Sequence, residues 1–408
     1  MKILYLNYSP STIQFTRTYG LADGLRSLGN EVIVVNMHRK IRAQLKTAPE
    51  NKPIAHSVPK VRSNKMMKII PRPFILLKGE IKRFLGNLSY LPLEFKLFLK
   101  YKPDIIVIRP MPLWSYYLSS FILRKKLVYD TDGPLLELFQ NEYHDFPKVY
   151  LKFERFFIRH SKAICVVSEE MKRYYGAFGG DINRIFVCPN GIDPKRFKYD
   201  MDASEIREKY HTKDKITIGF MGNLAPWHGL PGLLNIFPSL AEKYENIRLL
   251  LVGLKLDWDN LPAAVDKCLI EFKDKIICTG KVPFDLMPTY LKAINIFILP
   301  YPQIEFFYFS PLKLFESMGV GCTIVGADIG QISEVIRDNK DGLLFPPGDY
   351  DIMKDKIEKL INNPELRSRL GKAAAERVHT NYQWKNSAEG IIKAFEYSYG
   401  EKRKTKAG

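Results

Sequence analysis

The chain has 408 residues, too many for one ordinary hydrophobic core, and its 46% apolar and 12% aromatic content excludes a largely disordered protein. Five cysteines, Cys165, Cys188, Cys268, Cys278 and Cys322, are odd in number and lack metal-ligand spacing, so they read as buried thiols of a reducing compartment rather than a disulfide framework. The net charge of +18 is lopsided: residues 1–200 hold 34 Lys and Arg against 17 Asp and Glu, and the remainder 28 against 27.

The first half alternates strands and helices. Lys2 to Tyr8 reads as a strand, Thr16 to Leu28 as a helix stopped by Gly29, and Glu31 to Met37 as a second strand. Opening residues MKILYLNYSP are too short and too tyrosine-rich for a signal core, and no run reaches the roughly 18 apolar residues of a spanning helix. The expected location is the cytoplasm. From Lys60 to Lys102 eleven cations face two anions, Glu80 and Glu94, with Met66, Ile69, Phe74, Leu76, Phe84 and Phe98 among the apolar residues between them. Basic and apolar residues interleaved in this way suit an anionic membrane surface, here the inner face of the cell membrane, at about 1 kcal/mol per cation near the surface. Strands follow at Asp104 to Arg109, Lys126 to Asp130, Ala163 to Ser168 and Arg184 to Cys188, which together imply a parallel sheet covered on both faces.

Turn signals in Pro189 to Phe197 mark a crossover, after which the pattern restarts. Strands are expected at Ile216 to Asn223, Ile247 to Gly253, Lys275 to Gly280, Ile294 to Pro300 and Cys322 to Ala327, and helix throughout Asp351 to Tyr399. The predicted fold class is α/β, two doubly wound domains (1–190 and 191–383) facing a cleft, a C-terminal helix (384–400) returning to the first domain, and a disordered tail (401–408).

The densest chemistry lies between Ile304 and Glu334. There Ser310 is placed to cap a helix, Pro311 suits the first turn, and Lys313 adds a cation where free backbone N–H groups already favour a diphosphate. Glu316 follows on the i+3 side, so both side chains can address one ligand. Taken alone, the stretch reads first as an ordinary capped amphipathic helix with Leu312, Leu314, Phe315 and Met318 in the core.

Several segments settle the matter by their order. LADGLRSLGNEVIVV (21–35), VVSEEMKRYY (166–175), VCPNGIDPKRF (187–197), GFMGNLAPWHGL (219–230), SPLKLFESMGVGCTIVGADIGQISEVI (310–336) and DGLLFPPGD (341–349) together resemble the retaining glycosyltransferases of family 4, which have the GT-B fold, over nearly the full length. The resemblance implies transfer of a sugar from a nucleoside diphosphate donor to a lipid-linked or saccharide acceptor, without a metal or cofactor. Its donor-binding residues would be Gly222, Asn223, His228, Val282, Ser310, Pro311, Leu312, Lys313 and Glu316, with Glu316 on the ribose and the stretch around Gly280 and Lys281 along the base. Lys313 and Asp132 would be catalytic. Asp132 is preferred over Asp130 for stabilising the cationic transition state or placing the acceptor hydroxyl. Departures are equally visible: Tyr308 stands where many members carry a sugar-reading glutamate, and Asn223 and His228 where they carry Arg and Lys. Alternatives are a nucleotide-sugar epimerase on the same scaffold or an inactive donor-binding subunit, while no nucleic-acid module appears.

Overall fold

The computed structural model of the protein describes residues 1–8, 12–37, 91–109, 126–134 and 147–405. The chain falls into two units, Met1–Pro189 with Lys385–Gly408, and Asn190–Trp384.

In the first unit β1 (Lys2–Asn7), β2 (Glu31–Asn36), β3 (Ile105–Arg109), β4 (Leu127–Thr131), β5 (Ile164–Val166) and β6 (Ile185–Val187) form one sheet in the order β2-β1-β3-β4-β5-β6. Every pairing is parallel. Strands β3 and β4 are buried at all five positions, as expected of strands covered on both faces. The described helices of this unit include α1 (Thr12–Ser27), α2 (Leu91–Tyr101), α3 (Pro147–His160) and α4 (Glu169–Ala177). Ser168 caps α4 by accepting the Met171 N–H, with Glu169 and Glu170 in its first turn, the arrangement that satisfies free N–H groups and suits the helix dipole. The basic stretch from Lys60 to Tyr90, and Ser9 to Ser11, lie outside the described residues.

The second unit contains β7 (Ile216–Met221), β8 (Ile247–Val252), β9 (Ile276–Cys278), β10 (Ile296–Leu299), β11 (Thr323–Ala327) and β12 (Leu343–Phe345) in a parallel sheet ordered β12-β11-β10-β7-β8-β9. Its helices are α5 (Ser204–Lys209), α6 (Leu230–Lys243), α7 (Met287–Lys292), α8 (Leu312–Gly319), α9 (Gly330–Val335), α10 (Tyr350–Ile361) and α11 (Pro364–Asn381). A core of fully buried residues, among them Phe220, Phe237, Phe297, Phe315 and Phe345, fills the space between sheet and helices. Strand order reverses between β7 and β10. The loops after Met221 and Leu299 therefore diverge at the carboxyl edge of the sheet, the place where open α/β sheets bind ligands.

Three expectations need correction. The helical end is not continuous: Asn363 caps α11 and Pro364 opens it, so the chain breaks after Ile361 and again at Tyr382 and Gln383. The last helix, α12 (Trp384–Thr405), extends five residues into the stretch expected to be disordered, where Glu401, Lys402, Arg403 and Lys404 are all good helix formers. Its docking on the first unit is close: a Cβ on Gly390 would lie 2.5 Å from Cys188 Sγ, and Ser387 donates to the Pro189 carbonyl. Third, all five cysteines are free, but only Cys165, Cys188 and Cys322 are buried; Cys278 is half-buried and Cys268 exposed, because Cys268 opens a solvent-facing 3-10 turn rather than a strand.

Candidate functional site

At the switch point of the second unit, the loop after β7 is shaped by two glycines. Gly222 has φ +150°, and Gly229 has φ +67° with its α-carbon so close to the Pro300 carbonyl that a Cβ would lie 1.6 Å from the oxygen. Only glycine fits there. Between them Asn223 accepts the Ala225 N–H on its side chain, turning the loop, and its own carbonyl meets His228 Nδ1 at 3.2 Å.

Helix α8 brings Lys313 to this loop. A Cβ on Gly222 would lie 3.2 Å from Lys313 Nζ and 3.3 Å from His228 Nδ1, so the missing side chain leaves the ammonium room beside the backbone. The Nζ atom is buried, lacks a hydrogen-bond partner among the described residues, and sits 4.8 Å over the Phe220 ring and 5.3 Å over that of Tyr301. Burial pushes the Lys313 ammonium down to about 7. Burial, and then the Lys313 charge, push His228 down to about 4, so at neutral pH its ring is uncharged. With Nδ1–H donated to Asn223, the other ring nitrogen is an acceptor. His228 thus brings no positive charge to this loop at neutral pH.

Ser310 does not cap α8. Its Oγ accepts the Asn190 N–H at 2.9 Å and its carbonyl accepts Asn190 Nδ2 at 2.6 Å, tying the crossover segment to the loop before the helix. Pro311 takes the N-cap position, with no side-chain cap bond, and the helix begins at Leu312, one residue later than expected. The first-turn N–H groups are left without a side-chain cap. Leu312 is half-buried.

Glu316, three residues on, is only 6% exposed, and burial pushes its carboxyl up to about 7 while the Arg196 charge opposes the rise. It does not pair with Lys313, whose ammonium lies beside Gly222. Val282 is buried close to Gly280, which takes φ +64° with its N–H on the Leu254 carbonyl and Thr279 Oγ1 receiving the Gly253 N–H. These bonds lace the loops after β8 and β9 together. Tyr308 is buried, its ring tilted against Phe309 at 4.4 Å and Phe306 at 5.2 Å.

The first unit gathers a separate cluster at the ends of β1, β3 and β4. Asp130 is fully buried and accepts from Tyr5 Oη (2.8 Å), Arg17 Nη2 (2.5 Å) and Arg109 Nη1 (3.1 Å). Those two guanidiniums hold its carboxyl below the usual range despite the burial. Asp132 has a side chain 25% exposed and pairs with Arg109 Nη2 at 2.6 Å, while its buried Oδ1 has no partner among the described residues. Of the two aspartates weighed from sequence, the inner one has both oxygens committed to the fold and the outer one has a single committed oxygen.

Sequence reasoning missed Arg17, Arg109 and Arg196. A signal existed for Arg109, a charge ending an apolar strand one residue past the pair Ile108 and Tyr129, beside a strand that carries Asp130 next. Arg196 in a turn gave none.

Comparison with known proteins identifies the family and the fold. Residues 14–196 match the model for Glycosyltransferase Family 4, and residues 202–377 that for Glycosyl transferases group 1. An uncharacterized glycosyltransferase of Methanocaldococcus jannaschii is 24% identical over 319 residues, 76% of this chain and 79% of that protein. A GDP-mannose-dependent alpha-(1-6)-phosphatidylinositol monomannoside mannosyltransferase of Mycobacterium tuberculosis is 24% identical over 54% of this chain and 57% of its own. Among solved structures, Anabaena HepE in complex with UDP and glucose superposes with a TM-score of 0.67 at 18% identity, covering 97% of this chain and 99% of that one, which shows a shared fold. With two consecutive models of one enzyme class accounting for nearly all of its length, the chain belongs to the family 4, group 1 glycosyltransferases and has their GT-B fold.

Proposed function

We propose that the protein transfers a sugar, with retention of configuration, from a nucleoside diphosphate held by the second unit to a lipid-linked or saccharide acceptor held by the first. The observation that carries this reading is the buried, unpartnered Lys313 ammonium beside Gly222 at the switch point of the sheet. A buried cation without a partner is costly, and a diphosphate supplies the missing charge. As the sugar–phosphate bond breaks, negative charge gathers on the leaving oxygens, where Lys313 and the uncapped N–H groups of α8 stabilise it. Glu316 takes the ribose hydroxyls and the stretch around Val282 the base. Asp132 is the residue of the first unit assigned to stabilise the positive charge that builds on the sugar or to place the acceptor hydroxyl. The donor's own phosphate oxygen takes the acceptor proton, so no separate base is required. A relative named as a GDP-mannose-dependent phosphatidylinositol monomannoside mannosyltransferase, and a protein of the same fold solved with UDP and glucose, support a nucleotide-sugar donor and a glycolipid or sugar acceptor. The basic first half supports contact with an anionic membrane, and among the described residues no helix is long and apolar enough to cross one.

A thermal-shift panel of UDP, GDP and ADP tests the donor site, since a ligand of the folded state raises its stability. At least one should raise the melting temperature; if none does, the donor assignment fails. Incubation of UDP-glucose and GDP-mannose with and without a bacterial lipid extract then separates transfer from epimerisation, which would proceed without acceptor, and from binding without turnover. Co-sedimentation with anionic and neutral vesicles tests the membrane contact, which equal partitioning to both would exclude.

A further inference from the structure

Asn190 holds Ser310 at two points. Its backbone N–H donates to Ser310 Oγ at 2.9 Å and its side-chain Nδ2 to the Ser310 carbonyl at 2.6 Å, and both residues are buried. These are the two groups of Ser310 that a helix cap would use. Ser-Pro-Leu-Lys is a favoured helix opening, with serine at the N-cap and proline at the first position. In that arrangement Ser310 Oγ would accept the N–H of Leu312 or Lys313, and the Ser310 carbonyl would accept the Leu314 N–H as the first intrahelical bond. Neither bond forms. The Leu314 N–H goes to the Pro311 carbonyl at 3.0 Å, and no acceptor is found among the described residues for the N–H groups of Leu312 and Lys313. Pro311 has φ −68°, already that of a first helical residue, and only its ψ of 111° keeps it out of the helix. The same turn carries the buried Lys313 Nζ, likewise without a hydrogen-bond partner among the described residues.

We propose that Asn190 is a positioning residue for the diphosphate: by occupying both groups of Ser310 it withholds the cap from α8 and leaves the N–H groups of Leu312 and Lys313 to the phosphate oxygens. The proposal rests on the donor-site reading above. A helix opened by Ser310 would be the better free helix and the poorer anion site, because the serine hydroxyl would compete with the ligand for the same two donors. The local preference of the sequence is thus overruled by a residue 120 positions away. A rule broken in this way, at a turn that also carries an unpartnered cation, is expected where function rather than stability sets the geometry.

The test is titration calorimetry of the full chain with inorganic pyrophosphate, UDP and GDP. Asn190→Ala removes the side-chain donor and frees the Ser310 carbonyl for Leu314. It should weaken pyrophosphate binding about fivefold, the worth of one helix cap, and weaken the nucleotide that binds by the same factor. In a Ser310→Ala background, where no hydroxyl is left to cap the helix, the same change should move pyrophosphate affinity less than about twofold. A residue that merely anchored the loop would not show that non-additivity. Should Asn190→Ala fail to fold, Asn190→Asp, equal in size but without a side-chain proton to donate at neutral pH, should give the same loss and the same dependence on the Ser310 hydroxyl. Equal losses with and without that hydroxyl, or no loss in the folded variants while UDP or GDP binds the parent, overturn the role of Asn190 and leave the donor site standing. Failure of pyrophosphate and of every nucleotide to bind the parent removes both.

Discussion

Replacing Lys313 by Met should make the free protein more stable and deprive it of its ligand. Burial moves the ammonium from 10.5 to about 7, and at about 1.4 kcal/mol per unit this is a penalty of at most about 5 kcal/mol. The Phe220 and Tyr301 faces return up to about 2 kcal/mol as cation–π attraction. Methionine keeps the stem's packing and removes the charge, so the expected gain is roughly 3 kcal/mol, or about 6–12 °C for a unit of roughly 200 residues. The folded-state value lies below the unfolded one, so the unfolded chain holds a proton that the folded chain sheds. The penalty therefore grows as pH falls from 10.5 toward 7 and is constant below. Scanning calorimetry at pH 7 and pH 10 should show the variant melting well above the parent at the first and close to it at the second. The nucleoside diphosphate that stabilises the parent should no longer shift the variant. A variant that melts at or below the parent at pH 7 would mean that the ammonium is solvated or paired, and the reasoning would fall.

Glu316→Gln tests the opposite sign. The carboxyl is raised from 4.5 to about 7, so the folded state favours the proton and stability declines as pH rises through 7; the variant should match the parent near pH 4.5, exceed it above pH 7 in denaturant titrations, and bind nucleoside diphosphates at least about tenfold more weakly, the value of one charge-assisted hydrogen bond. Asp130→Asn breaks a buried cluster and should cost about 3–5 kcal/mol in urea unfolding. Because the Asp130 carboxyl is held below its usual range, its contribution is present above the unfolded value and lost as pH falls through the folded one, so the variant should lose less than the parent on acidification. Gly229→Ala should prevent folding of the second unit, since the added carbon meets the Pro300 carbonyl, whereas Gly29→Ala, with φ +80° but open space, should cost only about 1–2 kcal/mol; circular dichroism melts of the two separate the close approach from the backbone strain.

Strand periodicity made both sheets readable, because strands buried on both faces leave near-continuous apolar runs, as in Ile105 to Ile108 and Ile296 to Leu299. Strand β12 was visible only as part of a family segment, since three residues show no period. In the site, Lys313, Glu316, Gly222 and Val282 were legible through the order of motifs along the chain, and local rules identified the helix that carries two of them. Those rules failed at Ser310. Cap preference looks only a few residues ahead, and the partner that took its hydroxyl, Asn190, is 120 positions away. Arg196 escaped for the same reason, its stack on Phe284 being a product of the fold. The charge state of His228 was also hidden, because it depends on burial and on an ammonium brought from another helix.

Lys313 and Glu316, one lowered and one raised to about 7, each hold a fractional proton at neutral pH. Under the proposed donor binding, a diphosphate would drive the first toward its charged form and ribose hydroxyls the second toward its own, so one group would take up a proton as the other releases one. The heat of nucleotide binding will then contain the ionisation heat of the buffer only to the extent that these transfers fail to cancel, and calorimetry in phosphate and in Tris would read that difference as a net proton count.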